Sequence, residues 1–414
     1  MITKSKNSRL LMFVVGSLAV ISSVRLWTGQ DALTSSSTIG TALRLTVPIL
    51  LAGMAGLWAE RCGVLNIGIE GMMIFGTWFG AWGAWQSGPW VGLVMAILGG
   101  MLGGLIHAVA TVRFNIDQVI SGVVINLLAF FGVRYLSDLV YVGKPGGGIS
   151  QSPPQKWALP RFNLPILSGG EVAGWKSPDV LGRLETNRWF IIGDFGGITR
   201  GLTSDLSWAT VIAIAVVPLS AWLLWRTRFG LRLRSSGESP VAAESLGIKV
   251  NHLRYYGLLI SGGLAGLAGG TLSIVASSYY RQGQTAGRGF IGLATMIFGN
   301  WRPSGVLTGA MLFGYAEGIK LVASDSITAL FLFIAAVSVM FFVLAVLRRN
   351  RTQIFVALGV FVLSAVAYRT ISTVPESLTQ SLPYVVTIVV LATANQRLRP
   401  PAMAGVPFRP GEPH

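Results

Sequence analysis

The chain has 414 residues, of which 52% are hydrophobic, 12% are charged and 52 are glycines, with a mean hydropathy of +0.62. A soluble protein carries about 25% charged residues, so this composition, with apolar runs of about 20 residues recurring along the chain, describes an all-α, polytopic transmembrane helical bundle. One cysteine and three histidines exclude a disulfide framework and a zinc-ligand spacing, and the net charge of +16 follows membrane topology rather than a nucleic-acid patch.

Twelve crossings are predicted, at 10–27, 39–59, 63–85, 90–112, 114–136, 206–225, 255–276, 289–301, 304–322, 326–347, 353–370 and 377–395, or about ten to twelve if the shortest do not span. An N-terminus inside places Lys4, Lys6, Arg9, Arg61, Arg113, the basic stretch 226–254, Arg302, Arg348, Arg349, Arg351, Arg397, Arg399 and Arg409 on one side. Only Arg281 and Arg288 fall in the short loops opposite. Both termini are therefore expected in the cytoplasm, in the cell membrane. Lys4, Lys6 and Arg9 precede an apolar run with no small-residue cleavage site after it, which reads as an uncleaved first span.

The run 59–73 places Glu60, Arg61, Asn66 and Glu70 inside an apolar region, among Gly63, Gly68 and Gly71. A charge at mid-bilayer costs about 2.5 to 3.5 kcal/mol, so these residues are expected to face the bundle, with Asn66 and Glu70 on a translocation path. Cys62 reads as a small packing residue. His107 on the fourth span reads as a packed interhelical donor. On the fifth span, Asp117 sits where it can cap a helix, while Gln118 and Asn126, eight apart, share a face toward neighbouring helices or substrate. The glycine runs 99–104 and 262–270 predict close helix packing.

The segment 137–205, rich in Gly and Pro, is too polar to span and reads as an external loop, either solvated or part of a docking surface. The cytoplasmic stretch 226–254 contains a short helix over 237–248: Pro240 opens it, Glu238 and Glu244 lie near its positive end and Gly247 closes it. Its Val241, Ala242, Leu246 and Ile248 require a partner, or else anionic lipid.

Met73–Trp78 is echoed by Met296–Trp301, in a very short span preceded by polar residues 279–288. An inverted internal repeat with Gly-broken segments marks a translocation path, here adding Arg288 and Gly289, and the second copy fits a partly re-entrant element. The segment 324–373 is an extra apolar hairpin with few small residues, read as a peripheral, lipid-facing addition. No phosphate-binding loop and no catalytic constellation is present, so ATP hydrolysis is not expected of this chain.

These runs (60–73, 237–250, 287–291, 298–303, 382–387 and the tail 400–408) resemble permeases of ATP-binding-cassette importers for nucleosides and simple sugars, the branched-chain-amino-acid type, and the nucleoside permeases most. The resemblance covers 39–408 and makes 1–414 a single permease domain. It implies ATPase subunits, a second, related permease subunit, an external substrate-binding lipoprotein, a nucleoside or sugar substrate, surrounding lipid, and neither cofactor nor metal. The family's coupling pattern is Glu-Ala-Ala, three residues, then Gly. Ala242, Ala243 and Gly247 keep the spacing, Val241 replaces the Glu, and Glu238 and Pro240 complete the segment that would meet the ATPase. The hairpin 324–373 departs from the family. A stand-alone ion-coupled carrier using Glu70, Asp117 and Glu317 is the alternative of another class.

Overall fold

The computed structural model describes residues 6–165, 167–172, 174–322, 327–347, 349, 351–371, 398–409 and 411. The expected crossing 377–395 and the run 382–387 lie outside the described residues. The helices are α1 (Lys6–Thr28), α2 (Ser36–Arg61), α3 (Ile69–Ser87), α4 (Pro89–Ala108), α5 (Gln118–Tyr141), α6 (Val180–Asn187), α7 (Ile192–Thr203), α8 (Trp208–Arg226), α9 (Arg228–Glu238), α10 (Pro240–Ser245), α11 (Val250–Thr271), α12 (Arg288–Phe298), α13 (Pro303–Val322), α14 (Ile327–Leu347) and α15 (Arg351–Thr370). A helix thus occupies each expected crossing among the described residues. By length and composition, six helical stretches among the described residues suffice to cross a membrane.

Helix boundaries follow local chemistry. Asp117 caps α5 as expected, its Oδ1 accepting the amides of Val119 and Ile120, both at 2.9 Å. Pro89 opens α4 after Gly88, whose φ of +96° makes the reversal from α3. The third crossing departs from expectation: 63–68 is not helical, and α3 begins only at Ile69. Gly63, at φ +91°, turns the chain out of α2.

The chain divides into two compact units. In the larger one (Thr46–Pro160, Ser207–Phe313 and Gln396 onward) α3, α4 and α11 pack together through the predicted glycines. A Cβ on Gly100 would lie 2.1 Å from the Gly262 carbonyl oxygen, and one on Gly76 would lie 2.1 Å from that of Gly266. Backbones this close leave no room for a side chain. Helix α12 has 11 residues, about 16 Å of rise against a hydrocarbon core of about 30 Å, so it cannot cross alone. The echoed hexapeptides differ in conformation: Met73–Trp78 is helical throughout, whereas the chain leaves α12 after Phe298 and turns through Asn300 and Trp301, both at positive φ.

The smaller unit (Met1–Leu45, Arg161–Leu206 and Gly314–Asn395) holds α1, the first turns of α2, the end of α13, α14 and α15. Val24, Leu33, Ala316 and Ile319 form its core, covered by Phe331–Ile334 of α14. Phe355 and Leu363 of α15 are exposed.

The region 137–205 begins later than expected, because α5 runs on to Tyr141. Ser137 is buried and accepts the Trp78 indole N–H at 2.9 Å, and Tyr141 packs with Trp78 and Tyr280. Within the region lie α6, α7 and a hairpin pairing Glu171–Val172 with Trp175–Lys176.

Candidate translocation and coupling site

The non-helical stretch 63–68 leaves backbone groups without helix partners, and in an apolar bundle these must be satisfied by protein. Side chains from α4 and α5 do so. Gln118 Oε1 of α5 accepts the Leu65 amide at 2.6 Å. His107 Nε2 of α4 donates to the Leu65 carbonyl at 2.9 Å, while Nδ1 meets the Ser121 hydroxyl at 2.9 Å. Asn126 donates to the Ile67 carbonyl at 3.2 Å and accepts the Gly71 amide at 2.7 Å. Asn66, itself buried, donates to Ser261 of α11 at 2.9 Å. Gln118 and Asn126 do share a face, and that face holds the broken backbone.

The charged residues of the same run grip α12 at both ends. At its start, Glu70 accepts the amides of Gly287 at 2.9 Å and Gly289 at 2.7 Å, one on each carboxylate oxygen. At its finish, Arg61 donates to the Trp301 carbonyl at 2.7 and 3.3 Å, and Glu60 accepts the Trp301 indole N–H at 2.5 Å. A carboxylate at the helix start and a guanidinium beyond its end both match the helix dipole. Glycine is required at 289, since a Cβ there would lie 2.8 Å from the Glu70 backbone. Arg288 instead turns back, donating to the Gln284 carbonyl at 3.1 Å.

Arg61 also reaches the cytoplasmic segment, 3.5 Å from Glu238 at the end of α9, and stacks on Trp225. The predicted single helix over 237–248 is two elements, because the chain breaks at Ser239 and restarts with Pro240 as the first residue of α10. Glu238 therefore ends α9 rather than opening a helix. Gly247, at φ +77°, makes the closing turn as expected. One face of α10 is anchored: Pro240 and Ala243 are buried, and Ala243 clusters with Ile248, Val250 and Phe408. The other face presents Val241, Ala242 and Leu246, the last 80% exposed.

The tail is marked in the sequence by its resemblance alone, and the structure gives it partners. Arg399 donates its amide to Asn300 at 2.7 Å, Ala402 to Glu238 at 3.2 Å, Met403 to the Gly237 carbonyl at 2.9 Å and Gly411 to Glu244 at 3.3 Å. Arg254 donates to the Val406 carbonyl at 3.3 Å and lies over the Phe408 ring. The tail thus straps the turn after α12 to α9 and α10. The sequence marks the run 400–408 as part of the family resemblance, but nothing in it names the partners of Val406 and Phe408.

The description "Branched-chain amino acid transport system / permease component" matches residues 38–344. The guanosine ABC transporter permease protein NupQ of Bacillus subtilis is 33% identical over 296 residues, 70% of this chain and 83% of that protein. The nucleoside ABC transporter permease protein NupC of Lactococcus lactis is 32% identical, over 69% of this chain and 83% of that one. A putative glucose ABC transporter permease protein of Haloferax volcanii is 30% identical, over 69% and 78% respectively. No solved structure matches the chain.

Proposed function

The chain belongs to the family of branched-chain amino acid transport system permease components, and on that premise we propose that it is the membrane subunit of an ATP-binding-cassette importer for nucleosides. The observation that carries the mechanism is the linked series Glu238–Arg61–Trp301, which joins the segment carrying α10 to one end of α12, whose other end is held by Glu70. The exposed edge of α10 at Val241, Ala242 and Leu246 would dock on an ATPase subunit. Closure of the ATPases would then pull α9 and α10, and through Arg61 would shift α12 against the broken backbone 63–68. This is a rigid-body device for alternating access.

ATP hydrolysis would reside on the separate subunits. A second permease chain would complete the pathway, and an external binding lipoprotein would deliver substrate. Both termini lie in the cytoplasm in this scheme, which puts α10 on the ATPase side. The names of the two bacterial relatives support nucleosides, and that of the archaeal relative keeps a simple sugar as the second reading. Glu70 and Asp117, which an ion-coupled carrier would use, already accept backbone amides, and this favours the ATP-driven scheme. The family match runs to residue 344 and takes in most of α14, so of the expected hairpin 324–373 it supports only α15 as an addition beyond the common permease.

The test is uptake of labelled guanosine, cytidine, ribose and glucose in cells with and without this chain, before and after ATP depletion with the ion gradients clamped. ATP-dependent nucleoside uptake that disappears with the chain is the expected result. Sugar uptake alone would select the second reading, and uptake indifferent to ATP would overturn both.

A further inference from the structure

Helix α7 is arranged inside out for a helix on a water-facing surface. Its small and polar residues Gly193, Asp194, Gly196, Gly197 and Gly201 are buried, whereas Ile192 and Phe195, three apart and so on one face, are exposed. Trp189 and Phe190, just before it, are exposed as well. The buried side is a built joint. Asp194 forms an ion pair with Arg25, whose Nε lies 3.1 Å from its carboxylate, and accepts the Thr34 hydroxyl at 2.5 Å and the Ser22 hydroxyl. The Ile191 amide donates to Ser22 at 3.1 Å, and Arg25 donates to the Arg188 carbonyl at 3.0 Å.

This joint sets the depth of α7. Ser22 and Arg25 lie in the last turns of α1, which ends at Thr28. At 1.5 Å per residue, the start of α7 is held within about 9 Å of the level at which α1 ends. The interfacial zone beyond each side of the hydrocarbon is about 7 Å thick. At that same end of α1, Leu26 and Trp27 are exposed, Trp27 by 81%. The exposed apolar residues of α7 thus lie at a depth close to that of Leu26 and Trp27, and where α1 crosses the membrane this is the level at which aromatic residues gather between bilayer and water.

We propose that α7, with the preceding Trp189 and Phe190, lies in the headgroup and upper acyl region of the leaflet at the C-terminal end of α1, with outer-leaflet lipid as its partner. The proposal rests on α1 crossing the membrane and is independent of the transported substrate. In this arrangement, part of the region read as a polar external loop is an interfacial anchor. The Asp194–Arg25 joint fixes that anchor to the first span.

The test uses the assembled transporter in lipid bilayers, carrying a nitroxide on Ile192→Cys or Phe195→Cys, with Lys176→Cys in the exposed hairpin as the water reference. Collision rates are read with oxygen, which partitions into lipid, and with a water-soluble nickel chelate. The expected oxygen-to-nickel ratio at 192 and 195 is several-fold above that at 176. A ratio equal to that at 176 would place the face in water and overturn the proposal. Suppression of both collisions would place it against protein, a second copy or another subunit, and would also overturn it. If the labelled variants fail to assemble, photoactivatable lipid on the unmodified chain replaces them. Cross-links within 189–195 are then expected, and their absence, with cross-links to Trp27 present, would overturn the assignment.

Discussion

Glu70 and Gly289 are 219 residues apart in the chain, yet one carboxylate oxygen of Glu70 receives the Gly289 amide at 2.7 Å while the other holds Gly287. Charge on the third helix is thereby consumed in starting the twelfth.

This contact separates a capping role from a substrate-binding role for Glu70. Glu70→Ala leaves two amides of a largely buried helix start without acceptors, at about 1 to 3 kcal/mol each. Glu70→Gln keeps one acceptor and loses the charge. The melting temperature of the purified chain is expected to fall most for Ala, less for Gln, and again for Gly289→Ala, where the new Cβ presses on the Glu70 backbone. Unchanged melting with altered substrate preference would instead assign Glu70 to the substrate.

The two faces of α10 give opposite expectations. Leu246→Asp removes no internal contact, so yield and melting should match the unaltered chain while co-purifying ATPase and uptake fall at least tenfold. Ala243→Asp puts a charge among Val250, Ile248 and Phe408 and should destabilise the chain itself. Equal behaviour of the two variants in a melting and pull-down series would refute the assignment of the outer face as the dock.

Phe408 is buried and covers both Ala243 and Arg254. Phe408→Ala is expected to cost about 3 kcal/mol and to loosen α10, measured as faster amide hydrogen exchange across 237–248. Exchange confined to the tail alone would show that the strap does not restrain the coupling segment.

Cys62 sits in the turn between α2 and α3, outside both helices, with no solvent exposure. Burial pushes its thiol up to about 12, so near neutral pH almost none is the reactive thiolate. Maleimide should leave it unmodified in the folded chain from pH 6.5 to 8.5 and label it fully on denaturation, as read by intact mass. Labelling of the native protein would mean that the turn opens.

Local chemistry was legible in the sequence. Asp117, Pro240 and Gly247 act on neighbours a few residues away, and composition and periodicity alone define the membrane bundle. The charged run 60–70 was legible as embedded, but its partners were not, because Glu70 and Gly289 meet only through tertiary packing. The break at Ser239 was missed since Glu238 and Glu244 both suit a helix start, and tertiary contacts to Arg61 and Gly411 decide where each belongs. In α7 the glycine-rich side reads as loop, and only the buried Asp194 shows which side faces in.

The strap formed by 398–409 and Gly411 has a consequence for biosynthesis. Gly237, Glu238, Glu244 and Arg254 leave the ribosome well over a hundred residues before Ala402, Met403 and Val406, which complete their bonding. Until then α10 lacks the Phe408 contact that seats its inner face. A nascent chain can therefore place its earlier helices in the bilayer while α10 is still unseated, and under the proposed coupling role its docking edge would be the last part to be completed.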